Sequence, residues 1–554
     1  MLEGCTPWPE EFADRYRRLR YWRGETLGDL LGEWARAYGD RIALVDGDER
    51  VSYRELDEHV DRLAWQLFCL GIGAGDRVVV QLPNTPEFVY LVFALFRIGA
   101  LPVMALPPHR AHEISYLVEF SDAIAYAVPA RYRDYDYQAL ARQVNDACPS
   151  LAYVLVAGEG VDRSFVDLRG MLHETADADE VRRALRQQRP DPSDVALFLL
   201  SGGTTGLPKL IPRTHDDYAY NARGSAAVCG FGPETVYMVV LPAGHNFPLG
   251  SPGILGVFHH GGRVVLAPTP SPEVALPLIE RERVTVTSVV PAVAIHWMDA
   301  PLRASCDLSS LQVLQVGGAR LNPEAARRVG PALGCRLQQV FGMAEGLLNF
   351  TRLDDPEEMI VSTQGRPMSP DDEVRVVDAS GHPVSVGEAG ELCTRGPCTV
   401  RGYYDAPEYN LRAFTPDGFY RSGDVVRMDA AGNFIVEGRQ KDLINRAGEK
   451  VSAEEVENLI LSHPAVFNVA VVAMPDPVAG ERVCAYAVLH GGASLALSDL
   501  AGFLHGRGIA QYKLPERLEI IDALPLTGVG KVDKKALRED IAAKLARESG
   551  AAPG

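Results

Sequence analysis

The stretch from Leu200 to Lys209 reads Leu-Ser-Gly-Gly-Thr-Thr-Gly-Leu-Pro-Lys. Gly202, Gly203 and Gly206 let the backbone approach a ligand closely, Ser201, Thr204 and Thr205 offer hydroxyls, and Lys209 adds a cation. Backbone N–H groups, hydroxyls and an ammonium converging on one loop make an anion cradle, and a polyphosphate suits one. The string is not a Walker A loop, because Pro208 precedes the lysine and Leu210 follows it. Nor is it Gly-x-Gly-x-x-Gly, since Thr204 takes the second glycine's place. A second glycine-rich segment, Thr527-Gly-Val-Gly-Lys531, carries a lysine on a loop suited to a group that enters a site in one state and leaves it in another.

These residues need elements to hold them. Val195 to Leu200 is an apolar run that predicts a buried strand, placing the cradle at its carboxyl end. Val78 to Leu82, Val154 to Val156, Val264 to Leu266 and Val284 to Val290 also predict strands, and Glu87 to Arg97 and Pro323 to Val329 predict helices, a pattern of α/β layers. After Gly365 the texture becomes alternating, with turns at Asp378–Gly381 and Asp429–Gly432, which predicts an antiparallel β subdomain. A smaller unit follows from near Lys441: a helix from Ala453, a strand over Val466 to Met474, a second helix over Ser498 to Gly506 and a third from Asp533, where Lys534 and Lys535 read as surface charges.

A chain of 554 residues exceeds a single core and predicts at least two domains. The acidic N-terminus lacks an apolar segment, so no secretory signal is expected. The greasy stretch Phe88 to Leu106 is broken by Arg97, Gly99 and Pro102 and predicts a buried helix and strand rather than a membrane span. Nine scattered cysteines fit reduced thiols in the cytoplasm and show no metal-ligand spacing. A formal charge of −18 argues against nucleic acid or an anionic membrane as a partner.

The cradle string resembles the phosphate-binding signature of the adenylate-forming superfamily of acyl-CoA synthetases, peptide-synthetase adenylation domains and luciferases. Further signatures stand in that family's order: Phe341-Gly-Met-Ala-Glu345, Tyr420-Arg-Ser-Gly-Asp424, Gly438-Arg-Gln-Lys-Asp442 and Gly528-Val-Gly-Lys531. The resemblance implies an α/β fold: a large N-terminal domain of layered α/β subdomains plus a β subdomain over 1–438, and a small mobile α+β C-terminal domain over 439–554. It implies ATP and Mg²⁺ as cofactors, with Ser201, Gly202, Gly203, Thr204, Thr205 and Lys209 around the phosphates. Glu345 would hold the metal. Gly317, Gly318 and Ala319 would lie against the adenine plane, Val340, Phe341 and Gly342 would also bind ATP, and Asp424, assisted by Arg439, would take the ribose hydroxyls. Lys531 would contact the carboxylate and α-phosphate during adenylation, Lys441 matches the hinge, and Gly448 and Lys450 lie where relatives line a pantetheine tunnel.

The acid is read from Leu241 to Gly253. Amino-acid-activating relatives carry an aspartate here to pair with the substrate ammonium, whereas this chain has Asn246, which cannot compensate a buried cation. His245-Asn-Phe-Pro-Leu and Gln338 to Asp355 resemble the aryl-acid adenylating enzymes of siderophore and related peptide biosynthesis. The resemblance implies that Asn246 binds the carboxylate and 2-hydroxyl, that Phe247, Val340, Gly318 and Leu348 wall the ring, and that His245 gates the route to the acid. Ser251 matches 2,3-dihydroxybenzoate enzymes and Leu348 matches salicylate enzymes; 2,3-dihydroxybenzoate is favoured because Ser251 would otherwise face an apolar C3–H, with salicylate and 3-hydroxypicolinate as alternatives. The expected acceptor is the phosphopantetheine thiol of an aryl carrier protein on a separate chain, and the alternative is CoA. A catalytically inactive binding protein on this fold fits poorly, since every charged position expected for catalysis is filled.

Overall fold

The computed structural model describes residues 1–173, 177–201, 208–439, 442–446, 449–476, 480–507, 509, 511–527 and 531–548. Gly202, Gly203, Thr204, Thr205, Lys441 and Gly448 lie outside them, and Arg439 and Lys450 are described as strand positions only.

Two large sheets organise the first part of the chain. In one, Arg336–Gly342, Val313–Val316, Val286–Val289, Val236–Val239, Arg263–Leu266 and Ile42–Asp46 run parallel in that order, with antiparallel strands added at both edges. The other is ordered Leu210–Thr214, Val195–Leu200, Leu101–Met104, Arg77–Val80, Ala123–Pro129, Tyr153–Ala157 and Val166–Asp167. Its strands are continuous apolar runs because both faces are covered, Val78, Val79 and Val80 all being fully buried. The helix Pro86–Ile98 is buried almost all round, as the interrupted greasy stretch predicts. No helix among the described residues is long and apolar enough to cross a membrane.

The alternating segments after Gly365 form the expected antiparallel sheet of Glu373–Val377, Ala389–Arg395, Tyr420–Met428 and Phe434–Arg439. Beyond it, Val466–Asp476, Gly480–Leu489, Leu443–Arg446, Glu449–Ser452 and Arg517–Ile520 make a separate sheet. The helices Ala453–Leu461, Leu497–Gly506 and Lys534–Glu548 belong with it. Its two core clusters contain no residue before Ile444, so the fold comprises a large N-terminal α/β part and a small C-terminal α+β part.

One expectation fails here. Lys534 is not a surface charge: its ammonium lies 2.7 Å from Glu457 Oε1 and its side chain is only 19% exposed. Burial of this lysine is offset by that carboxylate, which holds its pKa above the usual value despite desolvation. Lys535, in contrast, is exposed.

Candidate active site

Ser201 and Lys209, the described ends of the cradle string, flank two antiparallel strands, Val195–Leu200 and Leu210–Thr214, so the string joins strand to strand. That connection separates it from loops that lead into a helix N-terminus. Its base is closed twice: Ser201 N donates to the Lys209 carbonyl at 2.9 Å, and Lys209 N donates to Ser201 Oγ at 3.0 Å. Lys209 Nζ stands 3.8 Å from the Tyr409 ring centroid, a cation–π distance. Burial lowers the Lys209 pKa, and Glu345 opposes that shift.

Glu345 is buried in the turn between the strands Arg336–Gly342 and Leu348–Phe350. Tyr403 donates its hydroxyl to Glu345 Oε1 at 2.7 Å and lies 2.9 Å from the Tyr420 hydroxyl. Burial, and then Glu345, holds the Tyr403 phenol far above its usual range, so it acts as a donor. The turn depends on Gly346, at φ +137°, where a Cβ would meet the Cys398 carbonyl oxygen at 2.1 Å. Asp424 is buried on the strand Tyr420–Met428 in register with Arg439.

Gly317 and Gly318 follow the strand Val313–Val316. A Cβ on Gly317 would lie 2.9 Å from Phe247 Cε1 and 3.0 Å from the Val340 carbonyl oxygen, so this position brings backbone against the pocket residues. Gly318, at φ +80°, faces Lys531: its added Cβ would lie 3.6 Å from Lys531 Cε. Leu241, Pro242, His245, Phe247, Val290, Gly318 and Lys531 line one cavity. Residues more than 200 positions apart in sequence therefore converge on one space. The lysine is held by a turn in which Thr527 N donates to the Lys531 carbonyl at 2.7 Å and Lys531 N donates to Thr527 Oγ1 at 3.2 Å.

His245 caps the short helix Asn246–Gly250, its Nδ1 accepting from Phe247 N at 3.2 Å. Burial, reinforced by the Lys531 ammonium, pushes its pKa down to about 4, so the ring is neutral at neutral pH. Asn246, Ser251, Val340 and Leu348 are buried and do not line the cavity. Leu348 lies over Gly342, where a Cβ would approach its Cδ2 to 2.6 Å.

The structure adds partners that the sequence reading missed. Tyr218 donates its hydroxyl to Asn246 Oδ1 at 2.9 Å. Asn221 Nδ2 donates to the Gly250 carbonyl at 2.6 Å and to Ser251 Oγ at 3.3 Å. Both come from the helix His215–Val228, which Arg213 anchors: its guanidinium donates to Asp217 Oδ1 at 2.7 Å, Asn221 Oδ1 at 3.2 Å and the Ala344 carbonyl at 2.9 Å. One buried network thus runs from the residue before Glu345 to Asn221 and Ser251. Val290 and Tyr409 are likewise additions.

Lys209 at a strand-to-strand connection, the buried Glu345 carboxylate that acts on its charge, and Lys531 of the small C-terminal part in the cavity with His245 and Phe247 make an arrangement suited to a ligase that activates its substrate with a nucleotide. Comparison with known proteins agrees. The AMP-binding enzyme model matches residues 31–404, and the model of the AMP-binding enzyme C-terminal domain matches residues 455–531. The chain belongs to the AMP-binding enzyme family and is an adenylate-forming ligase. It is 56% identical to the 2,3-dihydroxybenzoate-AMP ligase of Bacillus subtilis, covering 98% of this chain and 99% of that one. It is also 56% identical to a salicylyl-CoA synthase / salicylate adenylyltransferase of a Streptomyces species, covering 98% of each. Among solved structures, the Mycobacterium smegmatis MbtA apo structure superposes with a TM-score of 0.73 at 46% identity, over 97% of this chain and 98% of that one.

Proposed function

We propose that the protein joins an aryl acid to AMP and then passes the aryl group to the thiol of a phosphopantetheine arm. The observation that carries this reading is the cavity shared by Lys531, Gly318, His245 and Phe247. In the first half-reaction a carboxylate oxygen of the acid attacks the α-phosphorus of ATP, a C–O–P linkage forms and pyrophosphate leaves. Like charges must meet, so the site has to neutralise the phosphates and hold the nucleophile in line. Lys531 supplies positive charge at the carboxylate and α-phosphate, Lys209 and the loop beginning at Ser201 supply donors for the outer phosphates, and Asp424 accepts from the ribose hydroxyls, with Arg439 assisting. Gly317, Gly318 and Ala319 lie against the adenine, and Val340, Phe341 and Gly342 also bind ATP.

The residues fit Mg²⁺. Mg²⁺ keeps several waters and needs only one or two carboxylates besides substrate phosphates, and Glu345 is a buried carboxylate with one oxygen fixed by Tyr403. Among the described residues no group of three His, Cys, Asp or Glu could form an all-protein cage, which suits an ion held largely by the nucleotide. When bound, it offsets charge on the phosphate oxygens.

Asn246 is the carboxylate and 2-hydroxyl ligand; with Oδ1 accepting from Tyr218, its amide N–H₂ remains the donor for an anionic acid. Phe247, Val340 and Leu348 wall the ring, and neutral His245 gates the route to the acid. Ser251 faces C3 and favours 2,3-dihydroxybenzoate, with salicylate as the second reading because of Leu348. Of the relatives named above, one is named for 2,3-dihydroxybenzoate and another for salicylate, the latter also as a CoA synthase. The acceptor is an aryl carrier protein, with CoA as the alternative; the domain boundary lies at residues 438–439, with Lys441 as hinge and Gly448 and Lys450 beside the pantetheine arm.

Acid-dependent ATP–pyrophosphate exchange with 2,3-dihydroxybenzoate, salicylate, benzoate and an amino acid tests the reading. Exchange should be strong with the first two, weak with benzoate and absent with the amino acid; the reverse order would sink the pocket assignment. Ser251→Ala should move the ratio of kcat/KM values toward salicylate by roughly 10–100-fold, the effect of one lost buried hydrogen bond. An unchanged ratio would mean that Ser251 does not touch the ring edge.

A further inference from the structure

Helix Ala453–Leu461 carries Glu454 and Glu457 three residues apart, hence on one side. The first reaches the large domain: Glu454 Oε1 lies 4.0 Å from Arg320 Nε. Both atoms are buried and neither has a hydrogen-bond partner among the described residues. Arg320 is held in place by its Nη1, which donates to the Val436 carbonyl at 2.9 Å. It stands two residues beyond Gly318, the glycine that faces Lys531. The second carboxylate reaches the lysine segment. Glu457 Oε1 pairs with Lys534 Nζ at 2.7 Å and accepts from Val471 N at 2.6 Å, and Lys534 opens its helix three residues after Lys531.

Two carboxylates on a single rigid helix therefore connect the two sides of the cavity. We propose that Glu454 and Glu457 act as a ruler between the Gly317–Arg320 loop and the Lys531 segment, which makes Arg320 and Glu454 positioning residues for adenylate formation. This rests on Lys531 being the adenylation lysine. Intimate apposition is the physical reason: a lysine on a long flexible stem contributes only where its ammonium meets developing charge, and misplacement by about 1 Å can cost on the order of 100-fold. Burial pushes the Glu454 carboxyl up to about 8, with Glu457 and Glu437 adding to the shift. Arg320, and more weakly Lys534, oppose that shift without cancelling it, so burial between the two domains holds the Glu454 carboxyl largely protonated at neutral pH.

The test uses the full-length protein and aryl-acid-dependent pyrophosphate exchange. Arg320→Met and Glu454→Ala should each lower kcat about 10-fold while KM for ATP and for the acid stays within about twofold, the signature of an interaction made in the transition state. Arg320→Lys, which restores a cation, should recover most of the loss. In single-turnover formation of aryl-AMP, adding Arg320→Met to Lys531→Ala should change the rate less than about twofold, because Arg320 acts only through Lys531. Wild-type kcat in Arg320→Met, a loss confined to KM, or a further multiplicative loss beside Lys531→Ala would overturn the ruler alone. Full exchange in Lys531→Ala would instead overturn the assignment beneath it, and the ruler with it.

Discussion

Lys531→Ala is expected to lower aryl-acid-dependent pyrophosphate exchange by about 10²–10³-fold, while transfer from supplied aryl-adenylate to a thiol stays within a few-fold. The magnitude is that of removing one preorganised charge-stabilising donor from a water-poor site. The asymmetry follows from charge. In the first half-reaction the acid and the α-phosphate are both anionic, and a cation between them offsets their repulsion; in the second, the acid is already joined to AMP as a mixed anhydride. The lysine's place supports this use: its Cε lies beside Gly318, in the cavity shared with His245 and Phe247. Burial, the main cause of the lowered His245 pKa, remains when Lys531 is removed, so the neighbouring imidazole is a poor substitute for the missing cation. Rates of both half-reactions on the same preparation decide the matter, and an equal loss in both would assign Lys531 a structural role.

Arg213→Met should cost about 3–5 kcal/mol in urea unfolding of the large domain, the largest effect on stability expected of any substitution discussed. Arg213 and Asp217 both have side chains with no exposure, and their N–O separation is 2.7 Å. Removing one partner of a buried pair leaves the other charge uncompensated, which is far more costly than replacing both. Burial already raises the Asp217 pKa, with Arg213 as the main opposing influence, so the variant should take up a proton at Asp217 on folding. The substitution also deprives the Ala344 carbonyl and Asn221 Oδ1 of their donor, so affinity for the aryl acid should fall with stability. Arg213→Met combined with Asp217→Leu should recover much of the stability. A single variant within about 1 kcal/mol of the parent would show that the pair is replaceable.

The contrast between this network and the rest of the site explains what the sequence made visible. The strand Val195–Leu200 and the loop after it are legible because an apolar run followed by glycines and hydroxyls has few other uses. The β subdomain is legible from alternation between turn residues, and the strands Glu373–Val377, Tyr420–Met428 and Phe434–Arg439 end or begin beside the expected turns. The helix His215–Val228 is different. Its sequence, His-Asp-Asp-Tyr-Ala-Tyr-Asn-Ala-Arg, reads as a polar surface, yet His215, Asp216, Asp217 and Asn221 are all buried. Apolar periodicity detects a helix that hides greasy residues and is blind to one whose polar groups are satisfied inside. The only local hint was the spacing of Arg213, Asp217 and Asn221 at four-residue steps, which any solvated helix could carry. Lys534 was misjudged for the same reason, since its partner Glu457 is distant in sequence and nothing local signals the pairing. Tyr403 and Tyr409 escaped notice because their contacts with Glu345 and Lys209 depend on tertiary placement alone.

The most direct measurement is product identification without an acceptor. The protein, ATP, Mg²⁺ and 2,3-dihydroxybenzoate or salicylate are incubated, quenched, and analysed by mass spectrometry for aryl-AMP and pyrophosphate. The account predicts aryl-AMP and pyrophosphate in equal amounts, close to one per active site, because the adenylate stays bound until a thiol arrives. ADP with an aroyl phosphate, or no acid-dependent cleavage of ATP, would contradict it.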